Sequence, residues 1–177
     1  FQSNLPKDTQ RPWIGPEYWA NPLQDWRLAN GRIECFVCGT NRNMQLLTHQ
    51  LSEHTGDFRM RVRLGRLDRD AKKLDDGLVG FQLGVRGPLP GYRSSLLRGK
   101  RVLAGITTDQ RLWLAGKTSD PVAFSEGATP LGNVLLQLEA HPDGDGAGYT
   151  VVLSAVDLAS GKPLGTLQKQ LPAAALH

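Results

Sequence analysis

In Phe58-Arg59-Met60-Arg61-Val62-Arg63-Leu64 apolar residues alternate strictly with arginines. A β-strand sends successive side chains to opposite faces, so this segment turns one face to a core and the other to water. Val79-Gly80-Phe81-Gln82-Leu83-Gly84-Val85 repeats the alternation with small or polar partners. Turn signals then divide the chain into hairpins. Trp26-Arg27-Leu28 and Arg32-Ile33-Glu34-Cys35 flank Ala29-Asn30-Gly31, where Asn-Gly accepts the positive φ of a tight turn. Ile106-Thr107 and Leu112-Trp113-Leu114 flank residues 108–111. Residues 135–140 and 149–157 flank His141-Pro142-Asp143-Gly144-Asp145-Gly146-Ala147-Gly148, and a last hairpin turns at Ala159-Ser160-Gly161-Lys162-Pro163.

About ten short strands separated by such signals predict an all-β fold, an antiparallel two-sheet sandwich with very little helix. Phe58, Met60, Val62, Leu64, Phe81, Leu83, Val151 and Leu153 are expected to face its core. Single helical turns are expected at Pro16-Glu17-Tyr18-Trp19-Ala20, before Pro22, and at Pro172-Ala173-Ala174-Ala175-Leu176. The length of 177 residues suits one domain with its own core. No internal repeat or linker interrupts it, so a single sandwich is expected over residues 5–177. Phe1-Gln2-Ser3-Asn4 reads as the remnant of a cleavable tag and is left out of the fold. No apolar run approaches the roughly 18 residues of a membrane-spanning helix, so no membrane span is expected.

Charge modifies this picture in one place. The chain carries a net +4, yet residues 58–101 hold twelve Lys or Arg against four acids, a net of +8, and the remainder is −4. A basic middle in a mildly acidic frame places positive charge on one sheet face if its strands are neighbours. The alternation puts Arg59, Arg61 and Arg63 together on such a face. Cross-strand acids and water would compensate them, or an anionic partner would grip them through bidentate hydrogen bonds. Trp13, Trp19 and Trp26 form a second candidate cluster, falling with Tyr18 within fourteen positions. Exposed indole rings stack on sugar faces, and large aromatics equally anchor an irregular segment to a sheet edge.

The segment Glu34-Cys35-Phe36-Val37-Cys38 … His49-Gln50-Leu51-Ser52-Glu53-His54-Thr55-Gly56-Asp57 has the ligand chemistry of tetrahedral zinc. Its spacing differs from that of a DNA-binding finger. Ten residues separate Cys38 from His49, where about twelve are usual, and Thr40 and Arg42 stand where a finger places its core aromatic. A strand through Cys35 and Cys38, with the two thiols on opposite faces, a turn at Gly39-Thr40-Asn41 and a strand from Met44 to Leu51 are expected instead. No metal, cofactor or nucleic-acid partner is therefore expected. Asp143-Gly144-Asp145-Gly146 lacks the later ligands of a calcium loop and reads as a hairpin turn. Ser160-Gly161-Lys162 lacks the glycine spacing of a phosphate-binding loop. Glu17, Glu34, Glu53, Glu126 and Glu139 are scattered, and no nucleophile elbow is present. No catalytic residue is assigned.

The run Trp13-Ile14-Gly15-Pro16-Glu17-Tyr18-Trp19-Ala20-Asn21-Pro22-Leu23-Gln24-Asp25-Trp26-Arg27 carries a resemblance. With the Asn30-Gly31 hairpin, Leu46-Leu47-Thr48-His49, Gly56-Asp57-Phe58 and the 149–164 hairpin, it resembles the N-terminal extension of bacterial PhoD-type alkaline phosphatase/phosphodiesterase-like proteins. The resemblance covers residues 13–176. More loosely, the strand rhythm resembles the concanavalin A-like (laminin-G-like) jelly rolls. What this implies is an accessory β-sandwich of an exported, periplasmic or extracellular metallophosphatase. The metal-binding Asp, Asn and His motifs of such phosphatases are absent from this sequence, so none of their catalytic residues carries over.

The expected function is a non-catalytic binding module whose partner is a glycan, an anionic polymer, or a downstream catalytic domain of the same polypeptide. A jelly-roll hydrolase acting on carbohydrate is the alternative, and would need two acids about 5–9 Å apart in a groove. A small metal or nucleic-acid module is a third reading, separated from the others by zinc content. The purified protein is expected to carry no stoichiometric zinc and to keep its circular dichroism spectrum in chelator. About one zinc per chain, lost together with secondary structure, would overturn this, because a finger's metal-binding energy is its folding energy.

Overall fold

A computed structural model describes residues 1–37, 39–51, 56–67, 77–86, 99–114, 121–125, 132–144 and 146–176. These residues form twelve strands in four antiparallel sheets, and the chain divides into two compact units, Phe1–Ser52 with Gly87–Gly99, and Glu53–Arg86 with Lys100–His177.

The second unit is a β-sandwich. One sheet orders β12 (Pro163–Pro172), β11 (Gly148–Asp157), β10 (Val134–Pro142) and β5 (Phe58–Leu64). The other orders β6 (Leu78–Arg86), β7 (Lys100–Thr107), β8 (Arg111–Leu114) and β9 (Val122–Ala123). Alternation decides what each strand buries. Val134, Leu136, Leu138 and Ala140 of β10 are sealed, as are Tyr149, Val151, Leu153 and Ala155 of β11. They pack with Phe81, Leu83, Val102, Ala104, Ile106, Leu112 and Leu114 of the facing sheet in one apolar cluster. Phe58, Met60, Val62 and Leu64 join it only half-buried, as β5 is hydrogen-bonded to β10 alone among the described strands. All eight expected core residues therefore face inward.

Loop chemistry sets the registers. Gln110 adopts φ 64° where β7 turns into β8. Between β10 and β11 the amide of Gly146 donates to the Asp143 carbonyl, and the Thr150 hydroxyl donates to the Asp143 carboxylate at 3.1 Å, so Asp143 closes a hairpin turn. At the β11–β12 turn the Asp157 carboxylate accepts from the Ser160 hydroxyl at 2.6 Å and from the amides of Ala159 and Ser160. These bonds, the hydroxyl's first, hold its pKa below the usual aspartate range. The β6–β7 register shifts between Leu83 and Arg86, where Gly84 takes φ 56°. A β-carbon on Gly84 would stand 2.0 Å from the Ala175 carbonyl oxygen, so glycine is required twice over.

The first unit holds two short ribbons. β1 (Tyr18–Asn21) pairs with β4 (Asn43–Leu46), and β2 (Trp26–Ala29) pairs with β3 (Arg32–Cys35). The β2–β3 turn is Asn30-Gly31, with φ of 53° and 69°, the two positive angles a tight hairpin demands. Ile14, Tyr18 and Ala20 are buried against Leu5, Trp26, Ile33 and Leu46.

Three local expectations are corrected. Residues 18–21 form a strand rather than a helical turn, because Tyr18 and Ala20 alternate inward and the backbone pairs with β4. The helical turn follows Pro22 instead, as a 3-10 turn over Leu23–Asp25. β4 stops at Leu46, short of Leu51, and no partner register extends past Tyr18↔Leu46. β3 ends at Cys35, so it does not run on to Cys38, which lies outside the described residues with Asp145 and His54. The expected C-terminal turn is present as a 3-10 turn at Ala173–Ala175.

Leu83→Ala and Leu153→Ala are each expected to cost about 2–5 kcal/mol in urea unfolding, from lost transfer energy and the cavity left behind. Gly84→Ala is expected to destabilise by more than 1 kcal/mol, roughly, because the added carbon meets backbone oxygen at a positive φ.

Candidate functional site

The outward face of the β5–β10–β11–β12 sheet gathers the predicted arginines. Directly opposed residues of antiparallel strands share a face, so the register reads across the sheet in rows. One row is Arg59, Glu139, Val152 and Gln168. The next is Arg61, Gln137, Ser154 and Thr166. In a third, Arg63 opposes Leu135, which opposes Val156. Arg59, Arg61 and Arg63 are all exposed.

Their compensation is unequal. Arg59 Nε meets Glu139 Oε1 at 2.7 Å. With the arginine side chain 60% exposed, that pair contributes only about 0.2–1 kcal/mol. Arg61 faces an amide and Arg63 faces a leucine. Among the described residues neither has a carboxylate within ion-pair distance. Same-face neighbours along a strand are about 6.6–6.8 Å apart, so each adjacent pair repels by about 0.6 kcal/mol in water. That cost is small enough for a stable sheet to carry. The arrangement leaves two guanidinium groups with their fork of donors turned to solvent.

Asp57, Arg59, Glu139 and His141 border a shallow depression at the end of this face. His141 Nδ1 lies 3.2 Å from Asp57 Oδ1. Each carboxylate of the depression is thus engaged by a neighbouring base, Glu139 by Arg59 and Asp57 by His141. Among the described residues no three His, Cys, Asp or Glu side chains gather as metal ligands would.

The candidate tryptophans all belong to the first unit, the arginines to the second. Trp13 is 52% exposed, and the Arg11 guanidinium lies over its ring at 4.7 Å while Arg11 Nε donates to the Trp13 carbonyl. One ring face is therefore taken by a cation. Trp19 is half-buried on β1, opposite Gln45 and pointing away from Tyr18 and Ala20. Trp26 packs against the small core and its indole donates to the Asn21 carbonyl at 3.4 Å. These three rings do not form a common stacking platform on one strand face. Trp26 serves as an anchor.

Buried charge in this unit is structural. Glu34, 2% exposed, accepts from Arg27 Nε and Arg32 Nε, each at 2.7 Å, across and along the β2–β3 hairpin. Burial alone would raise its pKa, but the hydrogen bonds and charges of the two arginines outweigh it and hold the carboxyl below the glutamate range. Asp25, 6% exposed, accepts from Arg42 Nε at 2.9 Å, and Arg42 also donates to the Thr40 carbonyl, tying down the turn before β4.

Sequence reading found the arginines but missed Gln137, Glu139, Ser154, Thr166 and Gln168 as their neighbours. The signal was present in two parts: the alternation of residues 135–141 and the turn lengths that set the registers of β10 with β5 and β11. No family model matches the chain, and no curated protein or solved structure is significantly similar to it.

The lowered pKa of Glu34 means that the native carboxylate ionises more readily than the unfolded one. Its stabilising contribution is present above about pH 4.5, the unperturbed value, and is lost as pH falls through the lowered native value. Urea midpoints followed by tryptophan fluorescence are expected to drop below that pH. In Glu34→Gln that acid limb should be flatter and the neutral-pH midpoint lower. An unchanged limb would show that the Glu34 cluster does not govern acid stability.

Proposed function

We propose that the chain is a non-catalytic binding module of an exported phosphatase-like protein, and that it binds an anionic partner on the outward face of β5 and β10. The observation that carries this is the contrast along β5. Arg59 is matched by Glu139, whereas Arg61 and Arg63 meet an amide and a leucine. A face selected only for solubility intersperses opposite charges. Here the acid is withheld from the two positions nearest the end of the strand at Leu64. The attachment to a phosphatase and the exported location rest on the resemblance carried by residues 13–27 and the hairpins that follow. The anionic partner is a charged polymer or an acidic face of the downstream domain, held through bidentate guanidinium bonds.

Arg61→Gln/Arg63→Gln is expected to fold normally, with a thermal midpoint close to that of the parent, and to elute from a sulfated-polysaccharide column at clearly lower salt. A charge-matched control, Lys100→Gln/Lys162→Gln, should shift elution much less. Equal shifts for the two double variants would reduce the arginine face to a share of the net charge and remove the basis of this reading.

A further inference from the structure

The face beside the arginines specifies more than charge. Moving away from Arg61 across the strands, the same row presents the Gln137 amide, the Ser154 hydroxyl and the Thr166 hydroxyl, and the row beside it ends on the Gln168 amide. Among the described residues these four side chains make no hydrogen bond to protein, whereas Gln170 and Thr150, one step further along their strands, bond to each other and to Asp143. Between the polar groups lie Val152, Val156 and Leu135, half-buried apolar spots on the outward face. Strand spacing of about 4.8 Å makes the path from Arg61 to Thr166 about 14 Å long.

We infer that this face is the binding site of an acidic polysaccharide, sulfated or uronate-bearing, lying across the strands with its anionic groups on Arg61 and Arg63. The inference rests on the anion-binding reading above and names the partner's chemistry. A polysaccharide offers what this row can use. Its sulfates or carboxylates suit the guanidinium forks, its hydroxyls can both donate to and accept from Gln137, Ser154, Thr166 and Gln168, and its C–H ring faces suit Val152 and Val156. An acidic polypeptide face would satisfy the arginines but would make little use of hydroxyls and amides displaced about 5–14 Å to one side. The row is about 14 Å long, so it suits a short oligosaccharide segment rather than a single ring.

The test compares a sulfated hexasaccharide with a polyaspartate peptide of equal charge, by calorimetry at fixed salt. Three proteins are used: the parent, Arg61→Gln/Arg63→Gln, and the row variant Ser154→Ala/Thr166→Val/Gln168→Val, each checked for an unchanged thermal midpoint. The parent is expected to prefer the saccharide, and the row variant to bind it about tenfold more weakly while binding polyaspartate as the parent does. Saccharide binding unchanged in the row variant, or polyaspartate binding as tight as saccharide binding, would overturn the polysaccharide assignment and leave arginine-dependent anion binding standing. Binding of both probes unaffected by Arg61→Gln/Arg63→Gln would instead overturn the anion-binding reading itself. If Ser154→Ala in the triple variant destabilises the sheet, Thr166→Val/Gln168→Val on the edge strand alone gives the same comparison, with a loss of about threefold expected.

Discussion

Strand β10 is hydrogen-bonded on both sides, to β5 and to β11, and its alternate residues Val134, Leu136, Leu138 and Ala140 are almost wholly removed from solvent. A side-chain period of two makes that burial a register lock. A slip of one residue would bring Leu135, Gln137, Glu139 and His141 inward, placing polar and ionisable groups in a sealed apolar layer. The same lock fixes what stands opposite each arginine of β5. The pairing of Arg59 with Glu139, and the placing of Arg61 and Arg63 against Gln137 and Leu135, follow from the position of four buried apolar residues on the neighbouring strand. Core packing and the chemistry of the outer face are two readings of one register.

The two units use charge in opposite ways. In the first, Glu34 and Asp25 are buried and each is engaged by arginine, so the ionic contacts close a turn and a hairpin where the apolar cluster is small. Removing Glu34 leaves its arginine partners with solvent to return to, since Arg27 and Arg32 are 52% and 59% exposed, whereas Arg42, the partner of Asp25, is only 27% exposed. In the second, the apolar cluster is large enough to hold the fold, and the charges stand outside it. An exposed ion pair contributes little to stability, so the arginines of β5 can be exchanged with small effect on the fold. That separation makes a binding face testable by mutation: residues that hold the sandwich and residues that decorate it are different sets, alternating along the same strand.

The sandwich was legible because its signals are local. Strict alternation in 58–64 and 79–85, together with Asn-Gly, Asp-Gly and Gly-Lys turn chemistry, gave strand faces and hairpins that the structure bears out. The first unit was less legible. Pro16-Glu17 suggested a helix start, but β1 is decided by a partner strand more than twenty residues later, which no local pattern displays. The division into two units was only partly marked: residues 48–57 carry no proline or glycine run where the chain first passes from one to the other, whereas Gly87-Pro88-Leu89-Pro90-Gly91 stands where it passes back. The polar neighbours of the arginines were hidden for a related reason. Gln137, Ser154 and Thr166 are ordinary residues in sequence and become a row only when three registers are combined.

A sheet face also differs from a loop as a place to hold a polymer. Its groups are spaced by the backbone ladder, about 4.8 Å across strands and about 6.6–6.8 Å along one, and hydrogen bonds hold that spacing whether or not a ligand is present. Little ordering entropy then remains to be lost except in the side chains themselves, among which arginine and glutamine lose most and serine and threonine little. On the proposed reading, a row that begins with Arg61 and continues through Gln137 to Ser154 and Thr166 would divide its labour. The guanidinium end would supply long-range attraction that salt screens beyond a Debye length of about 8 Å, while the hydroxyl end would supply short, orientation-dependent bonds that salt scarcely touches. Affinity drawn from the first end is salt-sensitive and indifferent to the identity of the anion. Discrimination among anions has to come from the second, and on this molecule both ends lie on strands that one buried core holds in register.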